Sequence, residues 1–237
     1  MSAARRGRGR LGRLFANLIV AVGCVLFLGG FVMAAFLYQP YLVPTDSMAP
    51  TVSADDRVVA QRIDGHEVRR GDIVVFRDSA WSELPMVKRV VGVGGDHVTC
   101  CDERGLLQIN DVSVPEPYRA EGGPASRHDF DARVPEGELF LLGDERLDSV
   151  DSRSLLADGG TGTVSQDAVV ARVEAVAWPP GRAGLVSRPA VFGELPGGVS
   201  EPGPLRLLVT STVVGAVLIL VGSTTGAITA RVARRKA

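Results

Sequence analysis

The sequence predicts a mostly β domain, a barrel or sheet, flanked by an N-terminal and a C-terminal transmembrane helix. Three observations predict it. The apolar residues of this 237-residue chain, 46% hydrophobic overall, cluster at its two ends. Each apolar run abuts an arginine-rich terminus, and the segment between them is a series of short valine- and isoleucine-rich stretches punctuated by turn residues. The formal net charge is -1, with the Arg and Lys excess confined to the termini, so there is no overall basic field and no nucleic-acid partner is expected.

Residues 1–13 form a basic arm carrying Arg5, Arg6, Arg8, Arg10 and Arg13 without an acid, and Leu14 to Leu37 then runs without a charge. At 1.5 Å per helical residue that run reaches about 36 Å, enough to cross a hydrocarbon core of about 30 Å with some tilt. The first span is placed at residues 14–38. A cleaved secretory signal is the alternative, but the uncharged run is longer than an ordinary signal core. A second uncharged run, Leu207 to Ala230, gives a span over residues 205–230, although Ser223, Thr224, Thr225 and three glycines dilute its apolarity. Glycine and hydroxyl residues are common where membrane helices pack. The basic tail 231–237 follows, with Arg231, Arg234, Arg235 and Lys236. The positive-inside rule then assigns both termini to the cytoplasm and everything between the spans to the outside.

Between the spans, residues 39–178 read as β structure. Asp56 to Ile63, Asp72 to Phe76, Met86 to Val93, Asp96 to Cys101, Leu106 to Asn110, Leu139 to Leu142 and Val169 to Ala177 are strand candidates. Turn signals such as Gly94-Gly95-Asp96 separate them, and no long helical period intervenes. Pro115 to Pro135 reads as a mobile insertion, Ala157 to Gly162 as an exposed loop, and the Pro- and Gly-rich residues 179–204 as a tether to the second span.

Cys24 lies in the first span, while Cys100 and Cys101 are adjacent, and the sequence leaves open whether they bridge or stay reduced. His66, His97 and His128 are scattered, so neither a metal site nor a cofactor is expected.

The chemistry centres on Pro44-Thr45-Asp46-Ser47-Met48-Ala49-Pro50-Thr51, shortly after the first span. A serine hydroxyl is a poor nucleophile until a base takes its proton. Lys88 is the better partner, because an amine on an apolar strand face either finds an anion or loses its proton. The competing reading makes Lys88 and Arg89 a solvated pair on a strand edge.

Four blocks resemble, in order, those of the bacterial type I signal peptidases, membrane-bound serine proteases with a Ser/Lys dyad. They are Tyr38 to Thr51, Arg70-Gly71-Asp72-Ile73-Val74-Val75-Phe76, Lys88 to Gly92 with Gly94-Gly95-Asp96, and Gly143-Asp144-Glu145-Arg146 with Ser149, Asp151, Ser152 and Arg153. The second span is similar to that of actinobacterial members. The resemblance implies an enzyme that removes signal peptides after small residues, at sites of the Ala-X-Ala type. Ser47 is implied as nucleophile and Lys88 as base, with the Ser47 amide and the Thr45 hydroxyl as the oxyanion hole. It also implies Ser149 as the residue orienting the base, and Asp144, Arg146, Asp151 and Arg153 as structural support. Val43, Pro44, Met86 and Val87 would border the substrate pockets. Tyr41 and Met48 are expected on apolar surface that meets the membrane, with core packing the alternative for Met48.

Exported preproteins and the lipid bilayer are the implied partners, with the protein-export translocon a further candidate. Two departures stand out: Asp46 where many members have Gly, expected to face solvent, and Glu145 where Asn is frequent. Two rivals share some of these features, a self-cleaving Ser/Lys peptidase of the cytosol and a non-catalytic membrane-anchored β domain.

Overall fold

The computed structural model describes residues 3–119, 123–157 and 159–234. Arg235 and Lys236 of the basic tail lie outside the described residues. The chain divides into a helical unit and a β unit, Tyr38–Pro202.

The helical unit pairs α1 (Ala3–Leu37) with α3 (Leu205–Arg234). Within them, Leu14–Leu37 and Leu205–Gly226 are long and apolar enough to cross a membrane. The two helices run antiparallel and meet at small residues. A Cβ on Gly23 would lie 2.9 Å from the Gly215 carbonyl oxygen, and one on Gly215 would strike the Phe27 backbone nitrogen. Ser211 Oγ donates to the Leu26 carbonyl at 3.3 Å across the seam. The outward faces carry Leu14, Phe15, Leu18, Val25, Phe36, Leu207 and Leu220, all exposed. Helices whose outer surface is apolar, and whose backbones satisfy their own hydrogen bonds, are suited to hydrocarbon.

The described residues of the β unit form twelve short strands: β1 (Tyr38–Leu42), β2 (Arg57–Gln61), β3 (Ile73–Phe76), β4 (Met86–Val93), β5 (His97–Cys100), β6 (Leu107–Ile109), β7 (Val112–Val114), β8 (Phe130–Arg133), β9 (Glu138–Leu142), β10 (Thr163–Ser165), β11 (Val169–Trp178) and β12 (Gly184–Leu185), with a short helix α2 (Ser152–Ala157) after β9. An eight-stranded sheet has the order β1-β2-β11-β3-β4-β9-β10, with β12 added to β11, and a four-stranded sheet has the order β7-β6-β5-β8. Every pairing is antiparallel. The valine-rich stretches fill three buried clusters, because a strand with both faces covered needs β-branched residues on each. The seven strand candidates correspond to β2, β3, β4, β5, β6, β9 and β11.

Two expected irregular regions are corrected. Residues 115–135 contain β8, whose four residues pair with β5, and Ala125 is fully buried. Its described residues 123–135 are therefore part of the core rather than a mobile insertion. Residues 179–202 belong to the β unit and are not a tether. Phe192 is fully buried in the cluster that holds Val98, Leu107 and Phe140. Polar contacts fix the same stretch. Arg188 donates to Glu174 at 2.8 Å and to Ser200 Oγ at 2.7 Å, Ser200 bonds Asp72, and Arg70 reaches the Pro196 carbonyl at 2.5 Å. Proline and glycine content signals missing regular structure, but a buried aromatic and paired charges order a segment without any.

Cys100 and Cys101 are joined by a disulfide at the end of β5, answering the question the sequence left open. Met48 is fully buried in the cluster with Val43, Val52 and Val58, so its role is packing rather than surface contact.

If residues 179–202 are part of the core, Phe192→Ala lowers the unfolding free energy of the β unit by about 3–5 kcal/mol. Urea denaturation of the full chain in detergent, followed by the fluorescence of Trp81 and Trp178, measures this; a tether would give a change near zero.

Candidate active site

The strand β1 ends at Leu42, and the chain then turns back toward β2 through residues 43–56. Val43 and Asp56 hold the neck of this turn, with Val43 N–H donating to the Asp56 carbonyl at 2.9 Å and Asp55 N–H to the Val43 carbonyl at 2.8 Å. Buried Met48 and Val52 anchor its inner side. The Asp46 carboxylate accepts from the Ala54 amide at 2.9 Å and is exposed, as expected. Ser47 is thereby held half-buried at the rim of the sheet.

The central strand β4 brings the second group. It pairs with β3 along Met86 to Arg89, placing Lys88 opposite Val74. Lys88 is 3% exposed, and its Nζ lies 2.8 Å from Ser47 Oγ, with a further hydrogen bond to the Val87 carbonyl at 3.2 Å. Burial pulls the Lys88 amine down to about 8, against the opposing pull of the Asp151 and Asp144 carboxylates. An amine in this state is partly neutral at ordinary pH and has a hydroxyl within proton-transfer distance. Thr45 Oγ1 donates to Ser47 Oγ at 3.2 Å, so the hydroxyl of residue 45 also faces the serine oxygen.

The acids around Lys88 are already engaged. Asp144 receives a two-pronged hydrogen bond from Arg89, at 2.8 and 2.7 Å, and a third from Thr51 Oγ1 at 2.6 Å. Arg89 also donates to the Gly71 carbonyl at 2.8 Å, and its guanidinium lies 4.0 Å from the Tyr118 ring centroid. Asp151 is held by Arg153 at 2.8 and 2.7 Å and accepts from the Gly143 amide at 3.0 Å. Arg146 donates to the Gly143 and Ala125 carbonyls, at 3.0 and 3.1 Å, and is paired with Glu116. These placements bring Asp144, Arg146, Asp151 and Arg153 into one scaffold behind the dyad.

One expected contact is absent. Ser149 makes no hydrogen bond to Lys88; its buried Oγ has no partner among the described residues and lies against Gly143. The Lys88 amine is turned instead to Ser47 and the Val87 carbonyl. A side chain at Gly143 would collide with both Ser149 and the Ser47 carbonyl, which explains why glycine stands there. Glu145 acts through its backbone, its N–H donating to the Ser47 carbonyl at 3.2 Å, so the exchange of side chain at this position costs the site nothing visible.

A groove of about 390 Å³ opens in front of Ser47 and Lys88. It is bordered by all four expected pocket residues, Val43, Pro44, Met86 and Val87, and by Tyr41, Val75 and Leu84. Thr51, Glu116 and Tyr118 support the site but escaped the sequence reading, since Glu116 and Tyr118 fall in the stretch taken for an insertion and no local pattern marks a long-range partner. Among the described residues, no cluster of His, Cys, Asp or Glu is suited to hold a metal ion.

Because Arg89 is 1% exposed, Asp144→Ala leaves a buried charge unpaired and destabilises the β unit by about 3–5 kcal/mol. The double variant Arg89→Met/Asp144→Leu recovers most of that loss, and denaturant unfolding of the two proteins side by side tests both statements.

Comparison with known proteins follows the same lines. Residues 13–178 match the family model described as signal peptidase, peptidase S26. The chain is 34% identical over 158 residues to signal peptidase I U of Bacillus subtilis, covering 63% of this chain and 80% of that protein. It is 30% identical over 232 residues to signal peptidase I of Mycobacterium tuberculosis, covering 73% of this chain and 75% of that one. The crystal structure of a signal peptidase I from Enterococcus faecalis aligns at 30% identity with a TM-score of 0.36, over 44% of this chain and 94% of its own.

Proposed function

The chain belongs to the signal peptidase family, peptidase S26, as a serine endopeptidase that removes signal peptides, and on that premise we propose that Ser47 and a neutral Lys88 cut exported preproteins after small residues at Ala-X-Ala sites. The observation that carries this reading is the 2.8 Å contact between the buried Lys88 Nζ and Ser47 Oγ, with the nearby Asp144 and Asp151 carboxylates bonded to arginines instead of to the amine. In the uncharged amine the lone pair accepts the Ser47 proton while the oxygen attacks the scissile carbonyl. The resulting ammonium then gives that proton to the departing amine. A water activated by the same amine releases the acyl group. Charge on the tetrahedral intermediate is met by the Ser47 amide and by the Thr45 hydroxyl, which has only to rotate from its present contact with Ser47.

Substrate binding follows from strand pairing. On one side of β4, residues Met86 to Lys88 pair with β3; on the other, β9 begins only at Arg89. The edge at Met86 to Lys88 therefore has free backbone positions for an extended peptide, added as a strand beside the groove. Val43, Pro44, Met86 and Val87 leave room in that groove for small side chains, and discriminate by size. The two apolar helices anchor the enzyme in the membrane with both termini in the cytoplasm, which puts the β unit outside, where preproteins leave the translocon.

Ser47→Ala, Lys88→Ala and Lys88→Arg should each abolish processing of a preprotein with an Ala-X-Ala site while leaving circular dichroism unchanged. The arginine variant is the sharpest of the three, because a guanidinium keeps its proton; near-normal turnover by it would point to another base.

The pH dependence has a fixed sign. Activity needs the uncharged amine, so kcat/KM should climb tenfold per pH unit below about 8 and level off above it. A profile flat from pH 6 to 9, roughly the range over which a lysine of this kind titrates, would remove Lys88 as the base.

A further inference from the structure

We infer that the cavity between residues 126–131 and α2 is the binding site for the first residues after the scissile bond, the new amino-terminal segment of the product; this rests on the active-site reading above. The cavity measures about 590 Å³ and shares no lining residue with the substrate groove. Ser149 links it to the active site: this residue lines the cavity, and its Oγ and the Ser47 carbonyl both crowd the same face of Gly143.

An endopeptidase holds a continuous chain, so its substrate needs space on both sides of the bond that breaks. The groove containing Thr45, Ser47 and Lys88 is lined mainly by Tyr41, Val43, Pro44, Met86 and Val87, and suits the small residues before the cut. The cavity is chemically different. Arg127 and Asp129 stand exposed at its rim with opposite charges, while Arg153 in its wall is neutralised by Asp151. Ser126 and Ser149 add hydroxyls, and the Ser149 hydroxyl has no partner among the described residues. Phe130, Leu156 and Ala157 add apolar wall between these groups, so the cavity suits an extended peptide of mixed polarity, held by its backbone and by rim charge.

The test uses the full-length enzyme in detergent and two substrates with identical residues before the cut. One continues for several residues beyond it; the other ends there in an aminocoumarin leaving group. Ala157→Trp, an exposed position on α2 that borders the cavity, narrows the space, and Arg127→Glu reverses a rim charge. Both variants should raise KM several-fold for the long substrate and leave kcat/KM for the short one unchanged. Arg127→Glu should also shift preference from acidic toward basic residues just after the cut. Equal effects on the two substrates, or none on the long one, would overturn the assignment. Failure of the wild type to cleave either substrate would instead overturn the active-site reading, and this inference with it.

Discussion

The site depends on a lysine that is denied a carboxylate. Asp144 and Asp151 both act on Lys88 through space, yet neither is bonded to it, because Arg89 and Arg153 occupy them. The planar guanidinium matches a carboxylate at two points where an ammonium matches it at one, so neighbouring cations sort themselves by geometry. Arg89 takes the acid and Lys88 is left with a hydroxyl and a carbonyl. Burial then dominates the lysine's equilibrium and favours the uncharged amine.

That arrangement needs a frame that does not yield. Strand β4 carries Lys88 and Arg89 consecutively, so the lysine and the arginine that shields it from Asp144 cannot drift apart. The loop after β9 is tied to Ser47 through the Glu145 amide and to the core through Arg146 and Glu116. Its first residue, Gly143, is packed against Ser47 and Ser149 so closely that no side chain is admitted. Buried ion pairs add little net stability, but each fixes a direction, and here the directions converge on one serine oxygen.

Much of this was legible in the sequence. Valine-rich runs located the strands, since a two-sided core demands them, and the Ser47 and Lys88 pairing followed from elementary acid–base chemistry together with the order of the four blocks. What stayed hidden was held by contacts across long stretches of chain. Glu116 is 30 residues from Arg146, and Ser200 is 128 from Asp72. Phe192 sits alone among prolines and glycines, so no periodicity announces its burial. Ser149 shows the complementary limit: the resemblance supplied a role, and the geometry turned its hydroxyl elsewhere.

The helical pair obeys a different rule from the β unit. Its joint is set by backbone meeting backbone at Gly23 and Gly215, so the vocabulary of hydrophobicity misjudges it. Leucine at either position would read as a better membrane segment by any polarity scale, yet its bulk would wedge the two rods apart. At this seam size is the constraint, whereas the outward faces need only be greasy.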